Sequence, residues 1–254
     1  MPTGRFVVDA AALVPNGICE LPGGVAHQVR DVLRLGPGAS LTLLDGDGGE
    51  WPATVASADR KRVVARLGVR RVCAAEPSAR VVLCPGLLKA AKLEWVFQKG
   101  TELGITAFAP VICARGRALG DELGGGKRDR WRRILVEATE QCGRARVPPL
   151  ADPTPLALAL AELPPSAIGL MPWEGEHTRS LRQVLAGALG AHPSSNVPEV
   201  WIFIGPEGGF AAHEVALARE RDVVPVTLGP RILRAESAAI VAAALALEAC
   251  GELG

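Results

Sequence analysis

The sequence lacks any run of about 18 apolar residues, the length a bilayer-crossing helix needs, and its opening Met1-Pro2-Thr3-Gly4-Arg5-Phe6 lacks the apolar stretch of a secretory leader. With 48% hydrophobic residues the chain can still bury a sizeable core, so a cytoplasmic protein with no membrane partner is expected. The six cysteines (Cys19, Cys73, Cys84, Cys113, Cys142 and Cys250) include no C-x-x-C pair and no Cys/His cluster at zinc spacing. They read as reduced, mostly buried small hydrophobes. His213-Glu214 begins like a helical zinc motif, but Leu217 stands where the second histidine is needed, and no catalytic metal is expected.

The two best-known phosphate loops are missing as well. No G-x-x-x-x-G-K-[ST] occurs, and Gly205, Gly208 and Gly209 do not have the spacing of a dinucleotide fingerprint. Glu207 would also place a carboxylate against any pyrophosphate in that loop, a repulsion of about 1 kcal/mol in water and more when desolvated.

Charge is short of one sign in each part of the chain. Residues 1–72 carry 9 Lys/Arg against 7 Asp/Glu, residues 73–150 carry 13 against 8, and residues 151–254 carry 6 against 12. A basic first part with an acidic end points to a polyanion gripped by the former and a ligand other than a bare phosphate in the latter.

What is present divides the chain in two. Residues 1–72 show the cadence of a small β-barrel: strands at Phe6-Val7-Val8, Leu41 to Leu44, Trp51 to Val55 and Val63 to Val69, with one amphipathic helix over Val25 to Leu35. Cys73 to Ser78 reads as a linker. Residues 73–254 alternate strand and helix, the pattern of an α/β domain with a mostly parallel sheet. Its expected strands are Val81 to Cys84, Ala107 to Ile112, Ile168 to Met171, Val200 to Ile204 and Val223 to Leu228. Helices are expected over 87–103, capped by Gly104, from Lys127 after the glycine run Gly124-Gly125-Gly126, and over Ser237 to Ala249. Trp95 and Trp201 read as core residues. The last helix is apolar on nearly every face, so the sheet and a second subunit are expected to cover it.

Two glycine-punctuated loops carry the most information: Gly205-Pro206-Glu207-Gly208-Gly209-Phe210 and Leu228-Gly229-Pro230-Arg231-Ile232-Leu233-Arg234-Ala235-Glu236. Each follows a strand and leads to a helix, the place where open α/β sheets bind ligands. Glycines admit close approach of backbone, prolines stiffen the path, and Ile204, Leu228, Ile232 and Leu233 supply apolar walls. Such a slot suits an adenine without phosphates. S-adenosylmethionine is permitted by this chemistry but not singled out by it.

These paired loops resemble the signature of the SPOUT methyltransferases that modify N3 of a uridine in 16S ribosomal RNA. The likeness extends to His27 with Val32-Leu33-Arg34-Leu35-Gly36-Pro37-Gly38, to Gln98-Lys99 with Thr101-Glu102-Leu103-Gly104, and to Glu140-Gln141-Cys142-Gly143-Arg144 with Arg146-Val147-Pro148. It implies a PUA-like RNA-binding barrel over 1–72 and a methyltransferase domain over 73–254. That domain would have a knotted, mostly parallel sheet, S-adenosyl-L-methionine as cofactor, and a homodimer as the working form. On this resemblance Glu207, Arg234 and Arg144 are the catalytic candidates. Leu170, Pro172, Ile204, Gly205, Pro206, Gly208, Gly209, Leu228, Gly229, Ile232 and Leu233 would hold the cofactor. Arg5, Arg30, Arg34, Arg115, Arg144 and Arg146 would contact RNA. The competing readings are a SPOUT methyltransferase for another RNA or atom, and a catalytically silent RNA-binding or ribosome-assembly protein.

Overall fold

The computed structural model describes residues 4–116, 126–191 and 199–254. Gly124 and Gly125 of the expected glycine run lie outside them. The chain forms two compact units, one of residues 1–76 with 136–147 and the other of 77–135 with 148–254.

The first unit is built on a six-stranded sheet. Its strands β1 (Arg5–Val7), β2 (Ile18–Glu20), β3 (Ser40–Leu44), β4 (Gly49–Ala58) and β5 (Val63–Leu67) pair in the order β1-β3-β4-β5-β2, and β6 (Arg71–Val72) joins β4. Alternation along β4 sends Trp51, Ala53 and Val55 inward, where they meet Phe6, Val29, Leu41, Leu43 and Val63. The β3–β4 turn is held by Asp45, whose Oδ1 accepts the amides of Asp47 and Gly49 while Oδ2 pairs with Arg70 at 2.7 Å. The expected helix is shorter than its apolar spacing implies: α1 (Gly23–His27) runs on as a π-helical turn (Gln28–Val32), which leaves Val32 and Leu33 exposed. Strand β2, with only Cys19 buried, lacked the alternation that would have announced it.

Residues 136–147 complete this unit. Glu140 Oε1 accepts the Val7 amide at 2.8 Å, and burial raises the Glu140 pKa despite that bond. Arg5 pairs with Glu50 at 2.6 Å and donates to the carbonyls of Gly143 and Arg144. Glu76 Oε1 accepts the amides of Ala145 and Arg146, both at 2.7 Å, and its Oε2 lies 3.1 Å from the buried guanidinium of Arg144.

The second unit is a layered α/β structure. Strands β7 (Val81–Pro85), β8 (Ala107–Phe108), β11 (Ile168–Pro172), β12 (Val200–Ile204) and β13 (Val224–Val226) form a parallel sheet in the order β13-β11-β12-β7-β8. The central strands are apolar throughout because both their faces are covered. The expected strand at 107–112 breaks at Pro110; its second half, β9 (Val111–Ile112), pairs instead with β10 (Thr154–Pro155).

Helices α4 (Leu156–Ala161) and α6 (Ala212–Arg219) pack on the face bearing Val82, Cys84, Met171 and Phe203. Helix α7 (Ala235–Ala249) lies against β7 and β12, flanked by α2 (Ala90–Leu103) and α5 (Leu181–Ala191).

Helix α2 starts at Ala90 rather than 87 because Lys89 is extended, and it ends at Gly104 with φ 114°. Its buried side is Leu93, Val96, Phe97, Gly100 and Thr101. Trp95 is therefore not core: it is 41% exposed. The anchoring tryptophan is Trp131 of α3 (Lys127–Cys142), fully buried edge-on to Phe97 with ring centroids 5.4 Å apart. Trp201 does pack against the core.

Candidate active site

Three neighbouring parallel strands end side by side at Pro172, Ile204 and Val226, and the loops that leave them close around a pocket of about 580 Å³. That volume is within the usual range for small-molecule sites. Each loop is held by its own hydrogen bonds. The loop after β12 makes a turn in which the Gly209 amide donates to the Pro206 carbonyl at 2.9 Å, with Gly209 at φ 68°. The Trp173 amide donates to Val226 and the Thr227 amide to Arg179, stitching the loops after β11 and β13 together.

Glycines fit the β12 loop into place from outside it. A Cβ on Gly86, at the end of β7, would sit 2.8 Å from the Pro206 nitrogen, and the Gly86 amide donates to Ile204 at 2.7 Å. Glu214 braces the other side: its two oxygens accept the amides of Ala114 and Ala211 at 2.8 and 2.7 Å. The same side chain that invited comparison with a zinc motif is thus a buried loop clamp. Among the described residues no group of three His, Cys, Asp or Glu is placed to hold a metal ion.

Of the residues singled out for the cofactor, Pro172, Ile204, Gly205, Pro206, Gly209, Leu228, Gly229, Ile232 and Leu233 all line the pocket. Two do not. Leu170 is fully buried in mid-strand, two residues short of the pocket-lining Pro172, and Gly208 turns its back on the cavity, its Cβ position 3.0 Å from Arg115. Gly209 has a left-handed backbone, and a Cβ there would also lie 3.3 Å from the carboxylate of Glu174.

The catalytic candidates separate. Glu207 and Arg234 line the pocket. Arg144 belongs to the first unit, is 2% exposed and has its guanidinium on Glu76, away from the residues that line the pocket. Among the other arginines, Arg34 is exposed; Arg30 is paired with Asp31 and Arg146 with Asp47, both at the surface. Arg115 lies 3.4 Å from the carbonyls of Gly208 and Phe210, and so supports the β12 loop.

Sequence reasoning missed Lys92, Trp173, Glu174, Glu176, His177 and Glu236. Lys92 lies in the first turn of α2, just beyond the end of β7, and position at a strand end was the signal that could have found it. Its ammonium is 3.1 Å from Glu236 and 3.6 Å from Glu207. Against the cost of burial, Glu236's own amide and Lys92 hold its pKa below the usual range.

Glu176 accepts from the Thr178 hydroxyl and amide and from the Arg179 amide, and these bonds lower its pKa to about 2. The unfolded value is roughly 4.3. A depressed folded pKa means that the carboxylate stabilises the fold above the unfolded value and loses that contribution as pH falls through the folded one. Glu176→Ala is therefore expected to be less stable than the parent at pH 7, with the gap closing between about pH 5 and pH 2. Urea titrations across that range check this; a gap that does not depend on pH would contradict it.

A pocket of this kind, with apolar walls, carboxylates at its edge and no phosphate cradle, set at the ends of parallel strands, has room for a nucleoside-bearing methyl donor. Residues 75–247 match the RNA methyltransferase domain family, and residues 22–68 match the RNA methyltransferase PUA domain. Fold and site together therefore define an RNA methyltransferase.

Among similar proteins, the ribosomal RNA small subunit methyltransferase E of Bacillus subtilis is 31% identical over 87% of this chain and 86% of its own. That of Synechocystis is 34% identical over 86% of this chain and 69% of its own. A methyltransferase of Legionella pneumophila, solved with its cofactor SAM bound, superposes with a TM-score of 0.85 at 30% identity, over 98% of each chain. The ribosomal RNA small subunit methyltransferase E of Neisseria gonorrhoeae bound to S-adenosyl methionine gives 0.83 at 28% identity, over 97% of each chain. The chain belongs to the ribosomal RNA small subunit methyltransferase E family.

Proposed function

We propose that this protein transfers a methyl group from S-adenosylmethionine to N3 of one uridine in the 16S RNA of the small ribosomal subunit, as a cytoplasmic homodimer. The observation that carries the reading is the pocket at the ends of β11, β12 and β13. Ile204, Leu228 and Leu233 give it apolar walls, while Glu174, Glu176 and Glu207 give it fixed negative charge. These residues fit an adenosyl group attached to a sulfonium. When bound, the cofactor supplies an electrophilic methyl group.

The chain's own residues have two tasks. They must hold the target ring in line with that methyl group, and they must take the N3 proton. Glu207 lines the pocket and is the proton acceptor in this reading. Arg234, exposed at the start of α7, and neighbouring Arg231 serve the target's phosphate or its carbonyl oxygens. An unpaired uridine must be splayed from its RNA to enter such a pocket, and in the first unit the exposed Arg34 and Arg146 and the half-buried Arg30 suit an RNA backbone. Val241 of α7 is 37% exposed beside the half-buried Ile240, Ala244 and Leu245, an apolar stripe that a second copy of the chain would cover. The resemblance implies that the backbone around the pocket is knotted.

Tritiated S-adenosylmethionine incubated with unmodified small subunits is expected to label a single uridine, at N3, when nucleosides are mapped. Label on ribose or on a purine overturns the assignment. No label together with no cofactor binding by calorimetry overturns the enzyme.

A further inference from the structure

Lys92, Glu207 and Glu236 come from three separate elements, the first turn of α2, the β12 loop and the first turn of α7. One ammonium faces two carboxylates, so the cluster holds one negative charge in excess. The two contacts differ. Glu236 is 3.1 Å away with its side chain 17% exposed, whereas Glu207 is 3.6 Å away and 35% exposed. The other bond to Glu207, from the Lys89 amide, is 3.4 Å, at the weak end of hydrogen bonding. Glu236 is therefore the nearer and more buried counter-ion of the lysine, through an Oε2 that makes no hydrogen bond among the described residues, and Glu207 occupies the other side loosely.

The identity of the occupant matters to the reaction proposed above, on which this inference rests. A uracil ring that has lost its N3 proton presents an O–C–N edge that shares one negative charge over two atoms, as a carboxylate does over O–C–O. The same cation can accept either.

We infer that Lys92 is a catalytic residue that stabilises the deprotonated target ring, and that Glu207 holds its place until the ring arrives. On exchange, Glu207 loses its cation and becomes the better proton acceptor. The N3–H bond breaks with its proton passing to Glu207, the negative charge on the ring edge is balanced by Lys92, and the N3–C bond forms as the methyl C–S bond breaks. The sulfur departs neutral with the bonding pair. Other charged groups near the exchange are Arg231, Arg234, Glu174, Glu176 and His177, which line the same pocket, and Lys89, the residue just before the same helix; Arg234 also attracts Glu236. His177 is common to all variants below and cancels in their comparison.

The test uses the full chain with Lys92→Met and Lys92→Arg. Calorimetric affinity for S-adenosylmethionine, and the affinity for unmodified small subunits, should stay within about threefold of the parent. The single-turnover methylation rate of Lys92→Met should fall about 100-fold, as when one preorganised charge partner is lost from a reacting centre. Its rate should also keep rising with pH beyond the point where the parent levels off. Lys92→Arg should recover most of the rate. Subunits carrying 5-fluorouridine, whose N3 proton is more acidic, should restore part of it to Lys92→Met.

A Lys92→Met rate equal to the parent's overturns the inference. So does a loss of cofactor affinity that matches the loss of rate, which would make Lys92 a wall of the pocket. A parent protein that labels no uridine N3 overturns the proposed function and this role with it.

Discussion

Gly86→Ala is expected to lower the affinity for S-adenosylmethionine by about 100-fold or more, although Gly86 is not among the residues lining the pocket. Its added Cβ would lie 2.8 Å from the Pro206 nitrogen, 3.0 Å from Pro206 Cδ and 3.2 Å from the Gly205 carbonyl carbon. All three belong to a loop that cannot give way cheaply. Pro206 is rigid, the Gly205 Cβ position is already 3.2 Å from the Phe210 ring, and Ala211 is tied to Glu214. The loop must therefore move as a piece, and a displacement near 1 Å is enough to cost about 100-fold in a preorganised site. Overpacking adds about 1–3 kcal/mol of instability, so the measurement is calorimetric titration on a sample whose fold has been checked by circular dichroism. Gly187→Ala, with nothing within 4 Å of its Cβ position in α5, is the control. Parent-like affinity for Gly86→Ala would mean that the 205–206 backbone is not what receives the cofactor.

The second large effect is on stability. Trp131→Ala is expected to cost about 3–5 kcal/mol, since it empties a fully buried position of its largest side chain. For a chain of this size that corresponds to a fall in Tm of roughly 6–20 °C. Phe97 loses the ring packed against it at 5.4 Å and cannot fill the space alone, being engaged edge-on with Phe108 at 5.1 Å as well. Among the described residues the buried indole Nε1 has no hydrogen-bond partner. Trp131→Phe therefore discards an unsatisfied donor along with some volume, and its cost should be much smaller. Equal losses for both substitutions would show that volume is not what Trp131 contributes.

These two sites show where the sequence could be read and where it could not. The central strands were legible because burial on both faces demands unbroken apolar runs, and Val81 to Cys84, Ile168 to Met171 and Val200 to Ile204 have them. The loops after β12 and β13 were legible because φ values of 68° at Gly209 and 115° at Gly229 strongly favour glycine. Lys92, Glu236 and Gly86 were not, since each acts through a neighbour distant in sequence. Trp95 misled for the opposite reason: helical spacing can place a tryptophan on an apolar face in projection without saying that anything covers it. The buried pair of Arg144 with Glu76 was not legible either, because a basic loop looks the same in one dimension whether its arginines are exposed or paired.

The first unit is discontinuous in sequence, with residues 136–147 supplying Glu140 to Val7 and placing Arg144 and its neighbours on Glu76. During synthesis, then, the N-terminal 76 residues emerge with Glu76 and the Val7 amide unserved, and they wait for some sixty more residues before their partners appear. All of helix α3 must leave the ribosome before the first unit can close. The order of birth along the chain is thus not the order of completion.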